Sequence, residues 1–283
     1  MQEPRPFLIG GQWRHGETLV PVNNPFTGKL LAEVSSASSA DAEAAIQSTV
    51  DAAVAMKALP SHARYHALQK IAGGLYDRRD EFARLMMAEA GKPITDAKRE
   101  VNRAVQTFTI AAEEAKRIPG EVIPLDWTPG TDSHLGILRR VPIGPVLGIT
   151  PFNFPLNLVA HKVAPALAAG NSILIKPAPQ TPLTALLLGE VVLEAGLPPG
   201  ALNIMPCDNT LAEQLVVDPR FKLLSFTGSS AVGWMLKAKC GKKKAVLELG
   251  GNAGVIVEPD ADIDFADGFR FQARLPFSLH NDS

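Results

Sequence analysis

The stretch GPVLGITPFNFPLNLVAHKVAPALAAGNSILIKP, residues 144–177, decides the fold of this chain. It opens with a short apolar run, continues with apolar residues at helical spacing as far as Gly170, and closes with a second apolar run. A short strand, a helix and a further short strand in this order are typical of a βαβ unit, whose two strands are parallel.

The same alternation continues after residue 177. The helical segments are TPLTALLLGEVVLEAG, TLAEQLVV and SSAVGWMLKAK, and the apolar runs between and after them are ALNIMP, KLLSF, KAVLEL and GVIVE. Thr210 and Glu213 have the spacing of a capping box for the second of these helices. We therefore predict an α/β fold for residues 144–266, a Rossmann-like parallel sheet with helices on both faces.

The chain before residue 144 has two different patterns. Residues 7–36 carry short apolar runs broken by Gly, Asn and Pro, which predicts strands and turns. From residue 41 to about residue 116, apolar residues recur every three or four positions in three segments, which predicts three helices, the middle one over residues 62–92. We expect residues 1–124 to pack on the α/β domain, and residues 125–143, which contain the strand-like LGILRR, to form a segment of their own.

Composition and charge argue against several classes of function. Hydrophobic residues make up 46% of the chain and charged residues 20%, and the formal net charge is -1. This near-neutral balance gives no reason to expect nucleic-acid or membrane-surface binding, and the apolar runs are too short to cross a bilayer. Two cysteines cannot form a disulfide framework, and no signal-peptide pattern is present, so we predict a cytoplasmic protein.

Polar and glycine-rich motifs follow three of the predicted strands. They are ITPFNFP at residues 149–155, Lys176 at the end of ILIK, and SFTGSSAVG at residues 225–233, and Glu248 lies in the apolar run LEL. In a doubly wound sheet, ligands bind beyond the carboxyl ends of the strands. A strand followed by small residues and a helix N-terminus also suits an anion, because free N–H groups point outward there.

Each motif alone has a structural explanation. Lys176 would be a solvated strand end, Asn153 a turn former beside proline, and Gly228 with Ser229 a plain strand–helix connection. Glu248 would be a buried acid in an ion pair. The residues of each motif and their spacing do not distinguish these structural explanations from a binding site.

The four motifs together resemble those of the aldehyde dehydrogenase superfamily. TPFNFP, IKPAPQTPL, FTGSSAVG and LELGGN occur in this order, and the resemblance covers about residues 5–265. It implies oxidation of an aldehyde to a carboxylic acid with NAD or NADP as the cofactor. In that family a cysteine attacks the carbonyl, hydride passes to the nicotinamide, and the thioester is hydrolysed.

The resemblance implies a role for each matching residue. Asn153 would donate its amide to the oxyanion, and Glu248 would activate water as a carboxyl whose pKa apolar neighbours raise. Lys176 would bind the adenosine ribose, and Ser229 the pyrophosphate. The implied cofactor-binding set is Thr150, Pro151, Phe152, Asn153, Lys176, Pro179, Gly228, Ser229, Gly233, Glu248, Leu249 and Gly250, with Gly251 adding backbone freedom beside the nicotinamide.

The sequence departs from the family pattern in its last part. The family's nucleophilic cysteine would fall at Asp282, and the tail at residues 267–283 does not match the helix expected there. Cys207 and Cys240 fit buried apolar positions better than a nucleophile. We therefore expect a chain without the catalytic domain, which binds dinucleotide and lacks turnover. The alternatives are a non-catalytic nucleotide-binding or assembly partner of a longer relative, and a fragment with no function of its own.

Further expectations concern the cofactor, the partners and the histidines. Pro179 stands where many NAD-preferring relatives carry a glutamate, so NADP should be tolerated. The substrate implied by the family is a small-molecule aldehyde, and residues 125–143 resemble the family's oligomerisation segment, which predicts self-association. The histidines are scattered, so we expect no metal site, and we expect His161 to be a packed helix residue.

Overall fold

The computed structural model describes residues 3–251, 256 and 258–262. The tail at residues 267–283 lies outside this part, as does most of the predicted strand GVIVE. The described elements are β1 (Phe7–Ile9), β2 (Gln12–Arg14), β3 (Thr18–Asn23), β4 (Leu30–Ser36), α1 (Ser39–Ala58), α2 (Ser61–Asp77), α3 (Arg79–Ala90), α4 (Ile94–Lys116), β5 (Glu121–Pro124), β6 (Leu135–Leu138), β7 (Val146–Ile149), α5 (Asn157–Ala168), β8 (Ile173–Lys176), α6 (Pro182–Glu194), β9 (Leu202–Ile204), α7 (Asn209–Val217), β10 (Leu223–Thr227), α8 (Ser230–Lys239) and β11 (Lys244–Glu248).

A seven-stranded sheet forms the centre of the fold, in the order β11-β10-β7-β8-β9-β1-β2. The five strands from β11 to β9 are parallel, as the βαβ alternation predicts. The edge differs from a purely parallel sheet, since β1 pairs antiparallel with β9 and with β2. The fold is thus a mixed α/β sheet that is mainly parallel.

Helices cover both faces of this sheet. Alternate residues of β8 enter two separate apolar clusters, Ile173 and Ile175 on one side and Leu174 on the other. The first cluster contains apolar residues of α2, α4, α5 and α6, and the second those of α1, α7 and α8. Strands buried on both faces explain why their sequences are continuous apolar runs without alternation.

The helices before the sheet differ from the prediction in one respect. The single helix predicted over residues 62–92 is two helices, α2 and α3, which meet at Arg78. The Arg78 guanidinium bonds Glu81 at the start of α3 and Glu190 on α6, at 2.8 Å and 2.7 Å. These ion pairs hold the junction, and apolar spacing alone does not show it because both helices keep the same period.

Two carboxylates from these helices bind the N-termini of two sheet helices. Glu89 on α3 accepts the backbone N–H groups of Leu183 and Thr184 in the first turn of α6, both at 2.9 Å. Glu100 on α4 accepts N–H groups at the start of α5 in the same way. Both side chains are buried, and each satisfies donors that a helix leaves without a partner.

The predicted capping box at α7 is wrong. The helix begins at Asn209, and the side chain of Asp208 accepts the N–H of Leu211 at 2.7 Å. An aspartate directly before the helix is an effective N-cap, and it takes the position predicted for Thr210.

Two small antiparallel ribbons accompany the sheet. The first pairs β3 with β4, and the second pairs β5 with β6. The β5–β6 ribbon overlaps the predicted segment 125–143 and presents several exposed apolar side chains, namely Val122, Leu125, Trp127, Leu135, Ile137 and Leu138.

The chain divides into two compact units, Met1–Leu249 and Gly250–Ser283. The sheet and all the named elements belong to the first unit. In the second, the N–H of Ala261 donates to the carbonyl of Glu258 at 3.0 Å, across a turn at Pro259 and Asp260. None of the helices in the described part of the chain is both long and apolar enough to cross a membrane.

Candidate functional site

Neighbouring strands bring the predicted motifs to one edge of the sheet. In the parallel register, Ile149 on β7 lies beside Lys176 on β8, and Thr227 on β10 beside Glu248 on β11. The Thr150 N–H donates to the carbonyl of Lys176 at 3.2 Å, and the Gly228 N–H donates to that of Glu248 at 3.0 Å. The carboxyl ends of all four strands therefore meet where ligands bind in doubly wound sheets.

Lys176 is the most unusual side chain of this edge. It is 4% exposed, and its amine makes no hydrogen bond or ion pair with any residue that the structure describes. Burial lowers the pKa of Lys176, while the nearby Cys207 and Asp208 oppose this effect. An amine on a buried side chain without a hydrogen-bond partner is costly, because desolvation disfavours its charge and the neighbouring groups offset this only in part.

The connection from β10 to α8 leaves a helix N-terminus open. Ser229 is the N-cap of α8, is exposed, and makes no side-chain capping bond within the described residues. A Cβ atom added to Gly233 would overlap the Leu249 side chain, and one added to Gly228 would lie 2.5 Å from the ring of Phe226. Both glycines therefore permit close packing, and the first N–H groups of α8 remain available to an anion.

A cleft of about 790 Å³ lies beside this edge. Helices α4 and α5 line it together with β10 and β11, and its side chains include Arg103, Phe154, Asn157, His161, Lys162, Thr227 and Glu248. Glu248 is exposed, so the prediction of a buried carboxyl is wrong. It ends β11, where exposed and half-buried residues alternate as on a strand with one open face.

Lys162 is a residue of the cleft that the sequence motifs do not indicate. It is 6% exposed, and its amine donates to the hydroxyls of Ser225 and Thr227 at 3.1 Å and 2.8 Å. Burial lowers the pKa of Lys162 to about 8, although the charge of Glu248 acts in the opposite direction. The one signal in the sequence is a lysine among the mostly apolar residues of helix α5.

Asn153 lies in the loop between β7 and α5. It is partly buried, and its side-chain oxygen is buried without a hydrogen-bond partner in the described chain. Its backbone carbonyl accepts the amine of Lys92 at 3.1 Å. Thr150 in the same loop is buried, and Pro151 and Phe152 are partly buried, whereas Pro179 is exposed after β8.

Comparison with known proteins agrees with this arrangement. The sequence matches the aldehyde dehydrogenase family over residues 13–268. The chain belongs to this family. It is 42% identical over 259 residues to 3-sulfolactaldehyde dehydrogenase of Priestia aryabhattai, a match that covers 91% of this chain and 54% of the relative.

Solved structures of aldehyde dehydrogenases have the same fold. Aldehyde dehydrogenase 21 from Physcomitrella patens, in complex with the reaction product succinate, is 45% identical with a TM-score of 0.86, over 89% of this chain and 53% of that one. The NADP-dependent glyceraldehyde-3-phosphate dehydrogenase from Bacillus halodurans C-125, complexed with NADP, is 32% identical with a TM-score of 0.90, over 94% and 57%. The chain thus spans about half the length of these relatives.

The cysteines of this aldehyde dehydrogenase chain are both buried. Burial raises the pKa of Cys207 to about 12, so its thiol stays protonated at neutral pH. Cys240 donates its thiol to the carbonyl of Lys237 at 3.1 Å, at the C-terminal end of α8. Neither side chain lines the cleft with Glu248, and both have the packed environment predicted for them.

His161 is exposed and lines the cleft, so the prediction of a packed helix residue is wrong. No group of three potential metal ligands occurs among the described residues. Gly250 and Gly251 are exposed and belong to the second compact unit.

Proposed function

We propose that this chain supplies the cofactor-binding part of an NAD(P)-dependent aldehyde dehydrogenase. In this role the carboxyl edge of the sheet holds the dinucleotide, and the cleft beside it receives an aldehyde. The relatives' names support the activity, and the residues gathered at the edge support the binding mode.

The buried side chain of Lys176, whose amine has no hydrogen-bond partner among the described residues, carries this proposal. A lysine at such a position is stabilised by a ligand that brings hydrogen-bond acceptors, and vicinal ribose hydroxyls are such acceptors. The open N-terminus of α8 offers a second contact, to the pyrophosphate, because its N–H groups and helix dipole favour negative charge. The bound dinucleotide would accept the hydride that leaves the substrate.

The polar residues nearest the cleft have complementary tasks in this proposal. Asn153 donates its amide to the oxygen that becomes negative when the carbonyl is attacked. Glu248 takes a proton from the water that hydrolyses the acyl intermediate. The Lys162 amine interacts electrostatically with Glu248 and donates hydrogen bonds to two hydroxyls. Lys162 can therefore influence the proton transfer to Glu248.

The cleft favours an aldehyde that carries an anionic group. The Arg103 guanidinium lies 5.7 Å from the centre of the Phe154 ring and has no ion-pair partner among the described residues. Two of the relatives are named for compounds with a sulfonate or a phosphate group, and the third is in complex with its reaction product succinate, which carries carboxylates. An unpaired guanidinium binds all three groups through charge-assisted hydrogen bonds.

NADP is the cofactor we expect the chain to accept, with or without NAD. Pro179 is exposed after β8 and brings no carboxylate to the ribose site, so it cannot repel a 2′-phosphate. One of the solved relatives is complexed with NADP. A clear preference for NAD in titration would contradict this assignment.

The 283 residues are not expected to turn over aldehyde alone. Cys207 and Cys240 are the two cysteines of the sequence, and both are buried and do not line the cleft that Glu248 lines. A nucleotide-binding partner of a longer relative is the second candidate function, favoured by the exposed apolar side chains of the β5–β6 ribbon.

Calorimetric titration of the chain with NADP and with NAD tests the proposal. The wild type should bind, Lys176→Met should weaken binding at least tenfold, and Lys57→Met, an exposed lysine at the end of α1, should leave it unchanged. Absence of binding by the wild type, or equal affinity in the Lys176 variant, would refute the binding mode.

A further inference from the structure

We propose that Lys92 and Glu100 are positioning residues that set the direction of the Asn153 side chain. The inference rests on the proposed function, in which Asn153 is the oxyanion donor. Both residues come from the helical segment before the sheet, and neither belongs to a motif identified in the sequence.

The contacts connect this pair to the whole Asn153 loop. The Lys92 amine donates to the Asn153 carbonyl at 3.1 Å, lies 3.8 Å from the centre of the Phe154 ring, and pairs with Glu100. The other oxygen of Glu100 accepts the N–H groups of Leu156 and Asn157, each at 3.0 Å. One ion pair therefore holds a carbonyl in the middle of the loop and two N–H groups at its end.

Burial gives these contacts their strength. The side chain of Glu100 is 1% exposed and that of Lys92 is 14% exposed. Charge-assisted hydrogen bonds in such an environment are stronger than at the surface, and the two charges compensate each other's desolvation. Helix α5 makes no side-chain capping bond of its own at Leu156, so Glu100 provides the cap.

The Asn153 side chain depends on this support. Its amide oxygen is buried and makes no hydrogen bond within the described chain, so no hydrogen bond to that oxygen fixes which way the amide points. Its direction follows from the backbone that carries it, and Lys92 holds the carbonyl of that residue. An oxyanion donor must be held close to its productive geometry before the reaction, because reorganisation then costs nothing in the transition state.

The test measures the Asn153 amide directly by nuclear magnetic resonance of the ¹⁵N-labelled chain. The side-chain NH₂ signals are assigned from their loss in Asn153→Ala. In Lys92→Met they should move by more than their line width, and in Lys92→Arg, which keeps both the charge and the donors, they should return toward the wild-type position. Lys98→Met is the matched control, since Lys98 lies on α4 in an exposed ion pair with Asp80.

Two outcomes would overturn the proposal. Lys92→Met could lower the melting temperature and leave the Asn153 signals in place, or shift them without recovery in Lys92→Arg; either result would make the pair structural only. If Lys92→Met does not fold, Glu100→Gln is the second variant, because it keeps an acceptor for the α5 N–H groups but removes the charge that holds Lys92. It must then shift the same Asn153 signals. Failure of the wild type to bind NADP would count against the proposed function, and the resonance comparison would still be decided separately.

Discussion

Replacing Lys162 by methionine should stabilise this protein. The lysine amine is buried beside β10, and burial disfavours its charge more strongly than Glu248 favours it. Methionine has nearly the same length and shape but no charge, so it fills the same space without the desolvation cost. A side chain that destabilises the fold is better explained by a chemical function than by packing.

The size of the effect follows from the pKa of Lys162. Its fall from 10.5 to about 8 corresponds to about 3 kcal/mol against the charged form in the folded state. Losing the bonds to the Ser225 and Thr227 hydroxyls offsets only about 1 kcal/mol of this, because both residues are half-buried and water can replace the amine as their partner. The variant should therefore be more stable by about 2 kcal/mol at neutral pH, which raises the melting temperature by roughly 4–8 °C for a chain of this size.

The pH dependence gives this prediction a second, independent signature. A folded-state pKa below the unfolded value means that the folded protein binds fewer protons between pH 8 and 10.5. The free energy of unfolding of the wild type therefore rises across that interval, and the penalty is complete below it. The methionine variant lacks this contribution, so its advantage should shrink as the pH rises toward 10.5.

Urea unfolding of both proteins at about pH 7 and about pH 10 measures the difference. Lys70→Met serves as the control, because Lys70 lies on α2 outside the cleft and should change stability little at either pH. A Lys162→Met variant that is less stable than the wild type at neutral pH would refute the reasoning. An advantage that is the same at both pH values would refute it as well.

Three other predictions use different measurements. Full burial raises the pKa of Glu89 from 4.5 to about 7, so the free energy of unfolding of the wild type should fall by about 3 kcal/mol as the pH rises through that interval. Glu89→Gln should remove this slope when unfolding is measured as a function of pH. An unchanged slope in the variant would contradict the prediction. The exposed ribbon should cause self-association, which Ile137→Lys should reduce in light scattering; a monomeric wild type would argue against this. Succinate should bind in the cleft, and Arg103→Met should weaken it at least tenfold in titration; equal affinities would remove Arg103 from the site.

Much of the fold follows from the sequence because its signals are local. Short apolar runs alternating with helical periods from residue 144 onward predict the parallel strands β7 to β11 and the helices between them. The pairing of β1 with β9 does not follow in this way, because it joins Leu8 to Ile204 across most of the chain. The junction at Arg78 escapes prediction for a similar reason, since its partner Glu190 lies on a distant helix.

In the candidate site, too, some residues can be predicted from the sequence and others cannot. Topology places the ends of parallel strands together, so the sequence pattern is enough to group Thr150, Lys176, Gly228 and Glu248. It does not group Lys162 and Lys92 with them, because each reaches the site from outside the strand ends and is connected to it by contacts 61 to 65 residues apart in sequence. The exposure of Glu248 also escapes prediction, since apolar neighbours in sequence do not show which face of an edge strand is covered.

The two buried carboxylates indicate why the helices before the sheet matter for the site. Glu89 holds the first turn of α6, which follows the loop after Lys176, and Glu100 holds the first turn of α5, which follows the Asn153 loop. Each loop is thus fixed at one end by a parallel strand and at the other by a helix whose N-terminus is bonded to α3 or α4. A loop held at both ends keeps its polar side chains in place without hydrogen bonds of their own, which is the condition of the Asn153 side-chain oxygen within the described chain. Lys176, the last residue of β8, is held by its strand instead. The helical segment therefore contributes to the site by holding loops, although few of its own side chains need to touch a ligand.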